Sequence, residues 1–248
     1  GDPALRKPDA ACLAQLGQGA EIVAANPGDH PLILQFLIAV QQAPLAEDFQ
    51  SRLDQPGYRP GDRLLVRRGG KLAAHVQLCS QISWYRDQRI PTTTLVDFTS
   101  LPEYRDSDLE HCLLAAAEDS ARQEGAAIGL IRTTRHDWLQ YAAGTEGHTR
   151  ANPRAILSSF DGSLLNHRRR PRPSIEVRAW RHFELDSIRE IYQQVAPCMW
   201  GPQQRSEAWW QWLVGRKAGE QILLAVDSRA SKFKRPTNRA AEAGSVKE

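Results

Sequence analysis

A proline stands between a β-branched run and an amphipathic helical pattern in the stretch Thr92 to Gly125, and this junction constrains the fold more than any other part of the chain. Thr92 to Thr99 is rich in β-branched and apolar residues, with Leu95, Val96 and Phe98 among its threonines, a composition that suits a pleated, half-buried strand. Pro102 ends the run, because proline has no N–H to give a ladder. Leu109, Leu113, Ala116 and Ala117 then fall on one helical face, and Gly125 stands where a C-terminal cap belongs. A strand that feeds a helix through a short turn presents free backbone N–H groups at the helix start, and such a start favours an anion.

Around this unit the chain reads as alternating elements. Glu21 to Ala25 is a strand, Asn26-Pro27-Gly28-Asp29 a turn with Asp29 as N-cap, and Ile33, Phe36, Leu37 and Val40 the face of a helix. A shorter helix is expected near residues 46–54, ended by Gln55-Pro56-Gly57. Two strands follow, Arg63 to Arg67 and Leu72 to Leu78, joined by the hairpin signal Gly69-Gly70. The second is read as running on through Ile82, Trp84 and Tyr85. After the strand–Pro–helix unit come a strand from Ala127 to Thr133, a short helix from Arg135 to Ala143, and a last strand between Thr149 and Phe160. The strands flanking the long helix must pair in parallel through a right-handed crossover, within a mixed sheet covered by helices.

The opening pattern recurs. Ile175 to Arg178 is a strand, and Ile188, Ile191, Tyr192 and Val195 repeat the first helix face 155 residues later. Ser206 caps a further helix holding Trp209, Trp210 and Trp212, and Gln221 to Val226 is a strand. These read as a partial second copy over 175–226, after a first domain over 21–162 and a linker over 163–174, with a polar, basic tail from 227 to 248.

Charge and cysteine usage narrow the partners. Residues 1–166 carry 16 basic against 20 acidic side chains, whereas 167–182 carry six arginines against one glutamate. The basic excess thus falls in His167-Arg168-Arg169-Arg170-Pro171-Arg172-Pro173, which lacks the interleaved aromatics of a nucleic-acid platform and reads as a stiff solvated linker. Nucleic acid is a disfavoured partner. No apolar run approaches the roughly 18 residues of a membrane span, and no membrane partner is expected. Cys12, Cys79, Cys112 and Cys198 show no metal-ligand spacing, so no metal is expected. Cys79 and Cys112 are expected as buried free thiols in a reducing, cytoplasmic setting.

The element order, the hairpin and Pro102-Glu103-Tyr104-Arg105 before the helix together resemble the GNAT acetyltransferase superfamily, over about residues 21–160. The resemblance implies an α/β (α+β) fold with a mixed, mostly antiparallel sheet, a parallel pair formed by the fourth and fifth strands, and helices on both faces. It implies an N-acyltransferase that moves an acetyl group from acetyl-CoA, as cosubstrate, to an amine by direct attack. Backbone groups of Phe98, Thr99 and Ser100 would meet the pantetheine. Arg105, Asp106, Ser107, Asp108, Leu109 and Glu110 would form the pyrophosphate loop. Asp97 would serve as general base, and Tyr141 would protonate the departing thiolate. The acceptor would be a small-molecule or peptide amine, and a homo-oligomer is compatible with all of this.

The match departs at two places. Asp108 and Glu110 replace the two small residues of the family loop, and Ser107 to Glu110 reads as a capping box that would occupy the helix's own donors. The family tyrosine aligns with Leu139 rather than Tyr141, about 200° of helix away. A second reading therefore stands beside the first: a degenerate, non-catalytic domain that binds a ligand or supports an active copy. His75 and His148 are further candidates for a base, each expected to be structural, and His111, next to Glu110 in the helix, would supply positive charge near the loop if protonated. Trp209 and Trp212 share a helix face and are read as core packing, with a cage for a cationic ligand as the alternative.

Overall fold

The computed structural model describes residues 19–41, 44–105, 108–131, 175–215 and 222–227. Five strands, β1 (Ala20–Ala24), β2 (Arg63–Arg68), β3 (Lys71–Tyr85), β4 (Gln88–Ser100) and β5 (Ile128–Ile131), lie side by side in chain order. The first three junctions are antiparallel. β4 and β5 are parallel, paired from Thr92 with Ile128 to Leu95 with Ile131. This is the mixed α+β sheet that the chain order and the long connecting helix predict.

Each face of the sheet has its own helices. On one side α1 (His30–Gln41) and α2 (Ala46–Leu53) bring Ile33, Phe36, Leu37 and Phe49 onto Leu65 and Leu72. On the other, α3 (Asp108–Gln123) lays Leu109, Cys112, Leu113 and Ala117 on Leu64, Val66, Val76, Leu78 and Leu95. β2 is covered on both faces, so Arg63, Leu64, Leu65 and Val66 are all buried. Leu37 and Leu113 are fully enclosed, and truncating either to alanine costs about 2–5 kcal/mol.

The ends of the elements follow local chemistry. α1 is preceded by a tight turn, Pro27–Asp29, capped by Asn26 rather than Asp29. Pro27 opens that turn, which moves the cap upstream of the expected site. The Asp29 carboxylate instead accepts from the Asn26 N–H and pairs with Arg67. Gly69 and Gly70, at φ 55° and 77°, make the β2–β3 hairpin. The β3–β4 hairpin turns through Arg86 and Asp87, both at positive φ without being glycine. Their N–H groups are received by the carbonyls of Met199 and Pro197, which holds the strained turn from outside.

Residues 187–213 cluster with the sheet. They include most of α4 (Leu185–Val195), β7 (Trp200–Gln203) and most of α5 (Glu207–Gly215). β7 pairs with β3 at Ser83 and Tyr85, beyond the reach of β2, and so continues the same sheet edge. Its Gly201-Pro202 pair hid this strand from the sequence. Ser206 caps α5 through its hydroxyl, as expected. Trp212 donates from Nε1 to the Ser51 carbonyl of α2 at 2.8 Å.

A second compact unit includes the antiparallel pair β6 (Ile175–Ala179) and β8 (Leu223–Asp227). There Arg178 grips the Glu184 carboxylate through both guanidinium nitrogens. Cys79 is free, but Cys112, expected free, is buried and disulfide-bonded. The expected helix at 135–143, the strand within 149–160, the linker and the basic tail lie outside the described residues.

Candidate functional site

The site begins with an irregularity in β4. His75 of β3 faces Thr99 and Gln77 faces Val96, so one extra residue is packed into β4 between them. That residue is accommodated by Asp97, at φ 51° in the left-handed region. The bulge lies two residues past Leu95, where the described parallel pairing with β5 ends. A bulge takes backbone groups off the ladder and re-aims the side chain. Here the Asp97 carboxylate is directed onto Arg52 of α2, at 2.6 Å.

Behind the bulge is a buried chain of hydrogen bonds with a defined direction. A carbonyl can only accept, so His75 donates from Nδ1 to the Asp97 oxygen at 3.0 Å. A guanidinium can only donate, so Arg63 Nη1 gives its hydrogen to His75 Nε2, also at 3.0 Å. Both bonds require a neutral imidazole. Burial, followed by the Arg63 charge, agrees and lowers the His75 pKa to about 4. Arg63 Nε donates to the Tyr58 hydroxyl at 3.1 Å, and that hydroxyl lies 2.8 Å from His30 Nε2. The Tyr58 oxygen accepts from Arg63 and shares one hydrogen with His30 Nε2, the direction there being set by the His30 tautomer. Burial, then Arg63, lowers the His30 pKa as well, and burial raises that of Tyr58.

Arg63 is the hub of this network and is wholly enclosed. Phe49 and Tyr58 cover its guanidinium, with ring centroids at 4.8 and 5.6 Å. Among the residues singled out from sequence, Asp97 and His75 thus come together. Arg52, Arg63, Tyr58 and His30 join them unannounced. Lysine and arginine are almost never fully buried, and only the continuous apolar run after Arg63 hints at a strand covered on both faces.

The turn before α3 places its residues on two sides. Phe98 packs against the α3 core, and Thr99 and Ser100 are buried. Leu109 and Glu110 also face inward. The Ser100 hydroxyl donates to the Glu110 carboxylate at 2.6 Å. Arg105 and Asp108 are exposed. The acidic side chain of Glu110 is therefore spent on Ser100, and Asp108 is the exposed acid at the start of the helix. Asp106 and Ser107, and with them the proposed cap, lie outside the described residues, as do Tyr141, Leu139 and His148.

The tryptophan helix does form a cage, and the chain fills it itself. The Arg205 guanidinium stacks at 4.2 Å from both Tyr192 and Trp209 and at 4.9 Å from Trp210. Trp210 is buried, as the packing reading expects, and a free cationic ligand has no place there while Arg205 stays.

No family profile matches the chain, and no curated protein matches it in sequence. Solved structures do. A GCN5-related N-acetyltransferase from Anabaena variabilis superposes with a TM-score of 0.54 at 15% identity, covering 78% of this chain and 47% of that one. A conserved protein of unknown function from Enterococcus faecalis gives 0.54 at 13% identity, over 85% and 52%. Saccharomyces cerevisiae N-myristoyltransferase with bound myristoyl-CoA gives 0.53 at 12% identity, over 79% and 52%. The chain spans about half the length of each of these proteins. What they share with it is the fold.

Proposed function

From the GNAT fold that these structures share with the chain, we propose that the protein is an N-acyltransferase that uses acetyl-CoA as cosubstrate and an amine as acceptor. The observation that carries this reading is the bulge at Asp97, which sets a carboxylate and unladdered backbone just past the last described β4–β5 pair. Residues 98–100 lead from there to the turn that opens α3, a path along which an extended pantetheine arm can pair. Exposed Arg105 can meet a phosphate, and exposed Asp108 opposes one.

In this reading the amine nitrogen attacks the thioester carbonyl carbon, and the carbon–sulfur bond breaks. The surplus amine proton passes to the Asp97 carboxylate, directly or through one water. The departing sulfur takes up a proton, for which Tyr141 is the candidate donor. The Arg52 ion pair keeps Asp97 oriented and must loosen for it to accept the proton. The acceptor is a small molecule or peptide, and we place the protein in the cytoplasm. The free thiols of Cys79 and Cys198 suit that setting, while the disulfide at Cys112 speaks against it. Among the described residues no helix is long and apolar enough to cross a membrane.

A specific observation supports a second reading, that of a non-catalytic binding domain: the Asp97 carboxylate is already engaged, and no glycine stands in the described part of the 102–110 turn. Calorimetry with acetyl-CoA separates the two. Micromolar binding, with CoA thiol released on addition of an amine, supports the transferase. Absence of binding removes it. Binding without thiol release across a broad amine panel leaves the second reading.

A further inference from the structure

The hydrogen-bond network behind the bulge is one anion short. Arg63 is fully buried, and its bonds go only to neutral acceptors, the Tyr58 hydroxyl and His75 Nε2. Its third nitrogen, Nη2, is buried and has no hydrogen-bond partner. No carboxylate pairs with this guanidinium among the described residues. Asp97 is held by Arg52, Asp62 by Arg59 and Asp29 by Arg67. The neighbouring titratable groups do not offset the charge. His75 and His30 are pushed toward their neutral forms, the Tyr58 hydroxyl stays protonated, and burial pushes the Cys79 thiol up to about 11. A buried, unbalanced guanidinium is costly to keep unless something pairs with it.

A second orphan lies beside the first. Gln77 stands directly across from Arg63 in the β2–β3 register. Opposed residues of an antiparallel pair project to the same face. That face is the one carrying α1 and α2, because Leu65, two residues from Arg63, packs there. The Gln77 Oε1 atom is buried and has no partner. The structure therefore offers, side by side, one unused charged donor and one unused acceptor. Through His75 this pair connects to the carbonyl of the bulge residue.

We propose that Arg63 and Gln77 form an acceptor subsite, and that the amine acylated by this protein also carries a carboxylate. The inference rests on the transferase reading above and gives its acceptor a chemical class. The carboxylate oxygen receives from Arg63 Nη2. An N–H or O–H of the same molecule donates to Gln77 Oε1. An amino carboxylate supplies both groups from one small skeleton, which a simple alkylamine cannot do. Nη2 is the unpartnered nitrogen of this guanidinium, so the contact is a single charge-assisted hydrogen bond to one carboxylate oxygen. Phe49 covers the guanidinium and is the one buried side chain of the eight-residue α2. Entry therefore requires that short helix to lift, a movement opposed by the packing of Phe49 against Ile33, Leu37 and Leu65, by the Arg52–Asp97 pair and by the Trp212–Ser51 bond.

The test compares amines that differ in one anionic group, in the full chain with acetyl-CoA: two carboxylate pairs, L-phenylalanine against phenethylamine and L-lysine against cadaverine, and one phosphate pair, phosphoethanolamine against ethanolamine. CoA thiol release is the readout. The carboxylate member of a pair should be preferred in kcat/KM by about tenfold to a hundredfold, the range of a hydrogen bond to a charged group. Arg63→Lys should keep a fraction of that preference, and Gln77→Leu should raise KM for the amino carboxylate with kcat less affected. Equal rates within both carboxylate pairs, in a protein that binds acetyl-CoA, overturn the proposal and leave the transferase intact. Preference for phosphoethanolamine alone also overturns it. Failure to bind acetyl-CoA at all removes the transferase reading on which it stands.

Discussion

His75 donates from Nδ1 to the main-chain oxygen of Asp97, the residue whose φ of 51° makes the β4 bulge. The imidazole thereby fixes the backbone at a strained position, and the carboxylate on the same residue is left to face Arg52. Position and chemistry are divided between two atoms of one residue: its oxygen is anchored from β3, its side chain from α2.

Asp97→Asn separates these roles. Asparagine tolerates the left-handed region, so the bulge and the His75 bond persist. The lost pair is partly exposed on the Arg52 side, and its removal should cost about 0.5–1 kcal/mol in urea unfolding. If Asp97 takes the amine proton, kcat should fall by roughly a hundredfold or more. A fall of less than threefold with unchanged stability would remove Asp97 from the chemistry.

The buried imidazole also sets an acid limit. His75 titrates at about 4 in the folded chain, against an ordinary 6.5, because burial and Arg63 disfavour its charged form. The unfolded chain therefore binds that proton more readily. The stability it represents is complete above about pH 6.5, declines as pH falls toward 4 and is flat below that. The full span is roughly 3 kcal/mol. His30, shifted the same way, adds to the slope. Denaturant midpoints measured across this window should lose most of their slope in His75→Gln, and an identical slope would show that His75 takes up its proton equally in the folded and unfolded chains.

The two acids of the α3 entrance should behave differently. Glu110 is buried against Ser100, so Glu110→Ala strands a buried hydroxyl and should destabilise by about 1–3 kcal/mol. Asp108 is exposed. Asp108→Asn removes a charge from the phosphate approach at a stability cost of about 0.3–1 kcal/mol from the helix dipole. Acetyl-CoA should bind about twofold to fivefold tighter to that variant, the scale of an exposed charge interaction. Calorimetry that finds equal affinity would place the pyrophosphate elsewhere.

Removing Arg205 should empty the aromatic cage. Its cation meets three rings at 4.2–4.9 Å, and Arg205→Ala should lower stability by about 1–2 kcal/mol. The vacated box should then quench or shift tryptophan fluorescence on titration with tetramethylammonium, while the parent protein shows no change. A response from the parent would mean that the arginine does not occupy the box in solution.

What could be read from residues alone was what periodicity carries. The threonine run, Pro102 and the leucine spacing from Leu109 located β4, the turn and α3 within a few residues, because each signal is local. The bulge was not legible: it arises from pairing His75 and Gln77 with a partner strand, and Asp97 bears no mark such as glycine. The Arg86-Asp87 turn escaped for a similar reason, since the groups that hold it come from Pro197 and Met199. Arg63 was read as one end of a strand and Glu110 as a loop acid. Both are buried by helices whose seating depends on the whole sheet.

β7 has a consequence for how the molecule is made. The edge of β3 near Ser83 and Tyr85 is completed by residues 200–203. A ribosome that has delivered all five earlier strands of this sheet has still left the tip of the central hairpin without its neighbour. The Arg86–Asp87 turn and the Ser83–Tyr85 edge reach their final bonding only after β7 emerges, so the hairpin tip is the last part of this sheet to be completed.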